Sequence, residues 1–391
     1  MKNLRKVIYL TGILLINTFS AIQAQVWNCG YPNAEDITAT LRNDTLFVCG
    51  TEEMADFTID DSALNEQWRD PEYSNSIRTI VIQNDITNIG SYAFINCENI
   101  NSVVVPESVI SIGDWAFIYC SRLDSISVHN NLKKVGMNAF YGTKWYENQP
   151  NGAVYIGNIL LRYKGEMVST RQYAVIDNPD GSWGLEGYTP RNDTLYIREG
   201  TTIIAANAFL RNYDIGAVFI PNSVRIIEQG AFRECFNLRL VRFGEGVEEI
   251  EEAAFSAIGI RDTLVLGNKI KSIGNVAFFQ TPITSVVFGD SIKSIGHTAF
   301  YGCKNLISVT IGSNVTDIGE EAFHSCNRLS SVINRNSIPQ RLVERTFWGA
   351  ERNISYSITQ HITLRVPASS VSDYKNAEVW KEFGMIVGLD E

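Results

Sequence analysis

Ser111-Ile-Gly-Asp-Trp-Ala-Phe-Ile-Tyr-Cys120 returns, with changes only at tolerant places, as Asp317-Ile-Gly-Glu-Glu-Ala-Phe-His-Ser-Cys326. The Ala-Phe pair inside this stretch decides the fold. Working outward from it, the pair ends at Phe94, Phe117, Phe140, Phe209, Phe232, Phe255, Phe278, Phe300 and Phe323, with gaps of 23, 23, 69, 23, 23, 23, 22 and 23 residues. The 69 is three periods of 23. A unit of this length cannot bury its own apolar face and must stack on copies of itself, so the chain is predicted to be a repeat solenoid.

Apolar or thiol residues recur at fixed offsets after Phe117, Phe94, Phe232 and Phe300: Cys120, Leu123, Ile126 and Val128, then Cys97, Ile100, Val103 and Val105, then Cys235, Leu238, Val241 and Phe243, then Cys303, Leu306, Val309 and Ile311. Steps of three around Ala-Phe-x-x-Cys suit a helical turn. The alternation that follows suits a short strand, so each coil is expected to carry one strand and one helical turn. Stacked strands would form a long parallel sheet, and 11 or 12 coils at about 4.8 Å each would make a rod roughly 55 Å long. Each buried Phe would contribute on the order of 1.5 to 3 kcal/mol, making the Phe ladder an axial spine. Gly stands four residues before Phe as Gly90, Gly113, Gly136, Gly274, Gly296 and Gly319, whereas Ala205, Glu228 and Glu251 hold that slot elsewhere. Ala and Glu are penalised at positive φ, so the slot is expected to favour a small residue without requiring a left-handed backbone.

The quoted strings, each followed by Leu-x-x-Ile or Leu-x-x-Val, resemble the BspA-type leucine-rich repeats of bacterial and protist surface proteins, over most of residues 77–367. The resemblance implies a leucine-rich solenoid on a secreted or surface-attached protein, of a kind linked to adhesion to host proteins, host cells or other bacteria. It is specific for fold and weakly specific for ligand.

The chain start agrees with export. Lys2, Arg5 and Lys6 precede the apolar run Val7–Ile16, and Ala21-Ile-Gln-Ala24 offers a cleavage point before Gln25, as in a secretory signal peptide. The run is short for a membrane span, and no later segment approaches the roughly 18 to 20 apolar residues required. The expected location is secreted, extracellular or cell-surface, with the periplasm as an alternative. The expected layout is a signal peptide over 1–24, an N-terminal cap over 25–76, repeats over 77–140, an irregular insertion with degenerate coils over 141–204, repeats over 205–361, and a strand-and-helix cap over 362–391. Asn43-Asp44 reads as the turn of a capping hairpin spanning Thr38–Val48. At the other end Thr346-Phe347 reads as a last degenerate unit leading to a strand over 362–366 that Pro367 stops. Ser372 reads as the cap of a closing helix carrying Tyr374, Ala377 and Trp380, with Gly384 ending it.

Of the seven cysteines, Cys97, Cys120, Cys235, Cys303 and Cys326 all lie three residues after a repeat Phe and should stack as buried fillers, with Thr143 and Ile258 in equivalent places. Cys29 and Cys49 lie outside that file, and a disulfide between them is an open alternative to two free thiols. No close ligand pair points to a metal. The 43 acidic and 33 basic residues give a net charge of −10, and losing Lys2, Arg5 and Lys6 would make it more negative still. That opposes a nucleic-acid partner. The run Glu248, Glu249, Glu251 and Glu252 reads as a solvated face.

The segment between Phe140 and Phe209 lacks Ala-Phe. Val154–Leu161 reads as two strands joined at Gly157-Asn158, and 177–190 as a protruding loop. Loops on a rigid scaffold are where binding groups sit, so Trp183 and Tyr188 are candidate contact residues, whereas Trp145 and Tyr163 read as fillers for missing Phe residues. The string Arg-Asn-Asp-Thr-Leu at 42–46 recurs at 191–195, which suggests that a second run of coils restarts there. Asn178-Pro-Asp-Gly181 reads as a turn, lacking the carboxylates of a calcium loop.

An enzyme reading finds little. His129, His297, His324 and His361 fall in different coils with no nucleophile, zincin or phosphate-loop pattern beside them, so neither catalysis nor a cofactor is expected. The leading expectation is an adhesin-like scaffold binding a host matrix protein or a bacterial surface protein. The alternatives are glycan capture, for which Trp115 and Trp348 are candidate ligand residues if exposed, and a structural spacer. Outward strand positions Ser125, Ser127, Arg242, Ser308 and Thr310 are polar and small, unlike a sugar-stacking platform.

Overall fold

The computed structural model describes residues 25–58, 68–165, 175–177, 183–185, 191–351 and 354–389. The chain winds as a parallel-strand solenoid of about 12 turns, about 23 residues each. Most coils differ from the expected pattern in having two strands in place of a strand and a helical turn, although the coil of Phe140 carries a short helix, Lys144–Glu147. After the repeat Phe comes a longer strand, such as Ser308–Ile311, and before it a two-residue strand, such as Ser294–Ile295. The longer strands form a broad face and the two-residue strands a narrow one.

The Ala-Phe segment makes turns between these faces. Residues two before and two after the Phe adopt left-handed φ: Trp115 (58°) and Tyr119 (59°) around Phe117, Val276 (49°) and Gln280 (52°) around Phe278. Left-handed positions so close together forbid a helix. The backbone groups bond between coils instead: the N–H of Phe117 donates to the Ala139 carbonyl and that of Phe278 to the Ala299 carbonyl, both at 2.8 Å. The same coil-to-coil approach explains the glycine slot. Gly296 has no left-handed φ, yet a Cβ there would stand 2.5 Å from the Gly274 carbonyl carbon.

The Phe spine is formed as expected. Phe94 through Phe140 and Phe209 through Phe347 stack with ring centroids 4.7 to 5.5 Å apart. The five repeat cysteines are buried in one file, where Cys120, Cys235, Cys303 and Cys326 donate their thiols to the Phe carbonyl of the preceding coil at 3.0 to 3.3 Å. Burial pushes the Cys97 and Cys235 thiols up to about 12. Such thiols are unreactive.

Cys29 and Cys49 are free, which corrects the bridge entertained between them. Strand Ile37–Arg42 lies between the segments that carry them, pairing Thr38 with Asn28 on one side and with Cys49 on the other. Two strand spacings amount to about 9.6 Å, beyond the reach of a disulfide. The capping hairpin itself is present, with Ile37–Arg42 antiparallel to Thr45–Gly50.

Between the coils of Phe140 and Phe209, where three periods of 23 would leave room for two more, the described residues form one. Its narrow-face strand, Ile159–Lys164, follows the hairpin partner Gly152–Ile156 and pairs parallel with Ile203–Ile204. Tyr163 takes the Phe place: its N–H donates to the Ala208 carbonyl at 2.8 Å and its ring lies 5.7 Å from Phe209. Trp145 packs edge-on against Phe140 at 5.4 Å. Both pack half-buried against the core. The recurring Arg-Asn-Asp-Thr-Leu does open a new broad-face sheet, since Asp193–Tyr196 is the first strand of a set continuing through Ile215–Phe219 and Leu240–Arg242. The buried core correspondingly consists of two clusters that meet near residues 156–160 and 203–205.

At the far end Thr363–Val366 forms as expected, but the closing helix is shorter and starts earlier than expected. It spans Val371–Asn376 with Ser370 at the cap position, so Ser372 lies inside its first turn. An unexpected last strand, Met385–Gly388, then pairs parallel with Thr363–Val366.

Candidate protein-interaction surface

Alternate residues of the broad-face strands point inward and outward. The inward set, Leu264, Val286, Val309, Val332 and Leu364, is buried. Strand register lines up two outward rows. One runs Thr263, Ser285, Ser308, Ser331, Thr363 and is small and hydroxylated, with Ser285 Oγ and Ser308 Oγ 2.8 Å apart. The other runs Val265, Val287, Thr310, Ile333, Arg365, Val387. In the preceding sheet the matching row is Tyr196, Phe219, Arg242, with Tyr196 stacked on Phe219 at 4.7 Å. Near the N-terminus it is Phe47, Val81, Val104. Tyr196 is 71% exposed and Val265 60% exposed, in a ladder whose core is already closed beneath them. Branched and aromatic side chains on a rigid sheet, rimmed by hydroxyls, form a surface suited to protein contact.

Reading the outward positions as polar and small holds for Ser125, Ser127, Ser308 and Thr310, whereas Arg242 is polar but long, and the reading misses the apolar members of this second row. The signal was present: ten residues after Phe94, Phe209, Phe255 and Phe323 stand Val104, Phe219, Val265 and Ile333. Alternation in a run of consecutive apolar residues leaves the outward member indistinguishable from the inward one until the register is seen.

Of the four aromatic candidates, Trp115 and Trp348 are described and lie in coils far apart. Trp115 is half-buried at a left-handed position of the turn face and lies parallel to Tyr92, 6.3 Å away. Trp348 is half-buried near the other end, with the Arg345 guanidinium 5.9 Å from its ring. It follows Phe347 as Tyr301 follows Phe300 and His324 follows Phe323, and those two rings stack at 4.9 Å. Trp115 turns a ring face along the stack toward Tyr92, unlike a flat sugar platform. Trp183 begins strand Trp183–Leu185, which pairs antiparallel with Val175–Asp177, and its side chain lies outside what the structure describes. Tyr188 lies outside the described residues, as does Asn178-Pro-Asp-Gly181.

The narrow face is charged. The acidic run is divided there rather than being one solvated patch: Glu248 bonds Lys271 Nζ at 2.5 Å, while the Glu251 carboxylate accepts the Gln229 N–H at 3.0 Å. Glu228 is buried in the glycine slot and accepts the Ala206 N–H at 2.8 Å. Its burial, with Glu251 and Asp114 nearby, raises its carboxyl from 4.5 to about 7. The fold thus favours the neutral form, and the native state keeps a proton that the unfolded chain releases between those two values. The contribution of Glu228 to stability is expected to be most favourable below pH 4.5, to fall as the pH rises to about 7, and then to level off. Glu228→Gln keeps the acceptor and removes the charge, so it should gain about 1 to 3 kcal/mol above pH 7 and flatten that profile. Denaturant midpoints at pH 5 and pH 8 check this.

Six copies of a family profile described as "BspA type Leucine rich repeat region" match the chain, over residues 72–159, 202–330 and 260–364. No curated protein matches it. Among solved structures, a leucine-rich repeat protein from Eubacterium ventriosum is 18% identical, with 93% of each chain covered and a TM-score of 0.36. The pneumococcal vaccine antigen PcpA is 13% identical over 91% of this chain and 98% of its own, with a TM-score of 0.39. A leucine rich cell surface protein from Faecalibacterium prausnitzii is 18% identical over 91% and 94%, with a TM-score of 0.27. Likenesses this distant say nothing about what the chain binds.

Proposed function

This chain belongs to the BspA-type leucine-rich repeat family, and from that premise we propose that it is an exported, adhesin-like scaffold without catalytic activity that holds a protein partner on its broad face. The observation that carries the reading is the outward row Tyr196, Phe219, Val265, Val287 and Ile333, which keeps apolar side chains exposed or half-exposed on a closed and rigid sheet. The partner class is a host matrix protein or a bacterial surface protein. Export rests on the charged and apolar leader at residues 2–24, and among the described residues no helix is long and apolar enough to cross a membrane. Trp183 and Tyr188 belong to this proposal as further contacts, because the insertion that carries them leads directly into Asp193–Tyr196 and so to the start of the row.

The test is binding of residues 25–391 to an array of matrix proteins, bacterial surface proteins and polysaccharides. Saturable binding to a protein is expected. Val265→Asp combined with Tyr196→Ser should weaken it at least tenfold, since truncating an apolar anchor at an interface centre costs about 1 kcal/mol or more. Both side chains point out of the core, so the melting temperature should barely move. Binding confined to glycans, or protein binding untouched by the double variant, would overturn the reading.

A further inference from the structure

The coils are tied to one another by a repeated triplet of main-chain bonds. The N–H groups of Trp115, Phe117 and Tyr119 donate to the carbonyls of Met137, Ala139 and Tyr141 in the next coil, and those of Asn207, Phe209 and Arg211 to the carbonyls of Gln229, Ala231 and Arg233. The triplet recurs between every pair of neighbouring coils from Phe209 to Phe323. It stops after Phe140. The N–H groups of Asn138, Phe140 and Gly142 hold the same positions yet reach no acceptor among the described residues. The coil of Tyr163 offers them no matching turn, because strand Ile159–Lys164 runs straight through the place of Ala-Phe. The other links between coils end at the same joint. Lys134–Val135 ends the narrow-face sheet of the first coils, while Ile159–Lys164 pairs with Ile203–Ile204 beyond it. On the broad face one sheet ends at Ser125–Ser127 and the next begins at Asp193–Tyr196. The ring stack passes from Phe140 to Trp145 and starts again with Tyr163 on Phe209. Side chains are what cross the joint. Ile156, Ile159 and Ile203 pack with the first core cluster, Arg162 Nη1 donates to Asn138 Oδ1 at 2.9 Å, and Lys164 Nζ donates to the Gln149 carbonyl at 3.0 Å. A small cavity lined by Asn138, Tyr146, Arg162 and Ala206 remains there.

We propose that this joint is a hinge on which two runs of coils, 25–143 and 159–389, rock as separate cooperative units. Main-chain triplets fix both the spacing and the rotation of neighbouring coils. Apolar contact is non-directional, and Arg and Lys reach their partners through several rotatable bonds, so the joint holds the runs together without fixing the angle between them. In a stack coupled only through nearest neighbours, cooperativity ends where the coupling is weakest. The hinge divides the broad face: Phe47, Val81 and Val104 of the outward row lie on one run, and Tyr196, Phe219 and Val265 on the other. A partner touching both would select one angle from those available. The hinge itself does not depend on such a partner.

Hydrogen exchange of residues 25–391, followed by mass spectrometry, tests the proposal. Peptides covering 138–142 should exchange at least about tenfold faster than those covering 115–119 or 207–211, where the triplet is intact. Phe117→Leu should speed exchange across 25–143 and leave 203–389 within about twofold of the parent chain, and Phe278→Leu should do the converse. Leu keeps most of the apolar filling, so both variants should fold. Protection of 138–142 equal to that of 115–119 overturns the hinge, as does either variant speeding exchange in both runs alike.

Discussion

Phe232→Ala should lower the stability of the chain by about 3 to 5 kcal/mol, the usual cost of emptying a fully buried aromatic site. Phe232 is 0% exposed and lies between Phe209 at 4.7 Å and Phe255 at 5.1 Å, with interplanar angles of 3° and 6°. The site cannot collapse easily. Its walls are rings held by bonds from Phe209 N–H to the Ala231 carbonyl and from Phe232 N–H to the Ala254 carbonyl, so closing the void would shear two coils. In a solenoid each coil touches only its neighbours, so a mid-array defect also weakens the link between what lies on either side. Thermal and denaturant unfolding should show a midpoint lowered by several degrees and a broader transition, with Phe232→Leu intermediate. An unchanged midpoint would sink the coil-stacking account.

The second large effect is expected at the C-terminal cap. Trp380 is 0% exposed, donates its indole N–H to the Gln340 carbonyl at 2.8 Å, and lies 5.4 Å from both Tyr374 and Phe383 and 5.8 Å from Phe347, the last ring of the spine. Trp380→Ala should also cost about 3 to 5 kcal/mol. The consequences extend further than the cavity. Gln340 helps to pin the buried turn through Asn334 and the Val315 carbonyl, and Tyr374 Oη donates to the Asn336 carbonyl at 2.9 Å. Loosening the cap exposes the end of the Phe spine, so concentration-dependent association should accompany the lower melting temperature. Trp380→Phe separates the two contributions: it retains most of the apolar filling and loses only the hydrogen bond, for which about 1 kcal/mol is expected.

Much of this architecture is legible residue by residue. Phe at a spacing of 23 fixes the spine, Cys three residues later fixes the buried file, and Asn43-Asp44 and Gly157-Asn158 mark turns that are present. The two-residue strands were not legible, because Ser-Ile or Glu-Ile is too short to show a period. Nor was the turn chemistry: left-handed backbone at Trp115, Val276 and Ser325 contradicts local preference and is held by bonds to the neighbouring coil. The exposed row was half visible, since Val265 and Ile333 look like core residues until register turns them outward.

By itself the sequence determined that the chain stacks, at what period, and which rings and thiols line its axis, because burial at a fixed spacing leaves its mark on every copy. Only the tertiary structure decided which members of each apolar run face outward, that Tyr163 stands in for a missing Phe, and that Glu248 of one coil bonds Lys271 of the next. Those are relations between coils rather than within one. Strand register and stacking order set them, and neither leaves a periodic trace along a single chain.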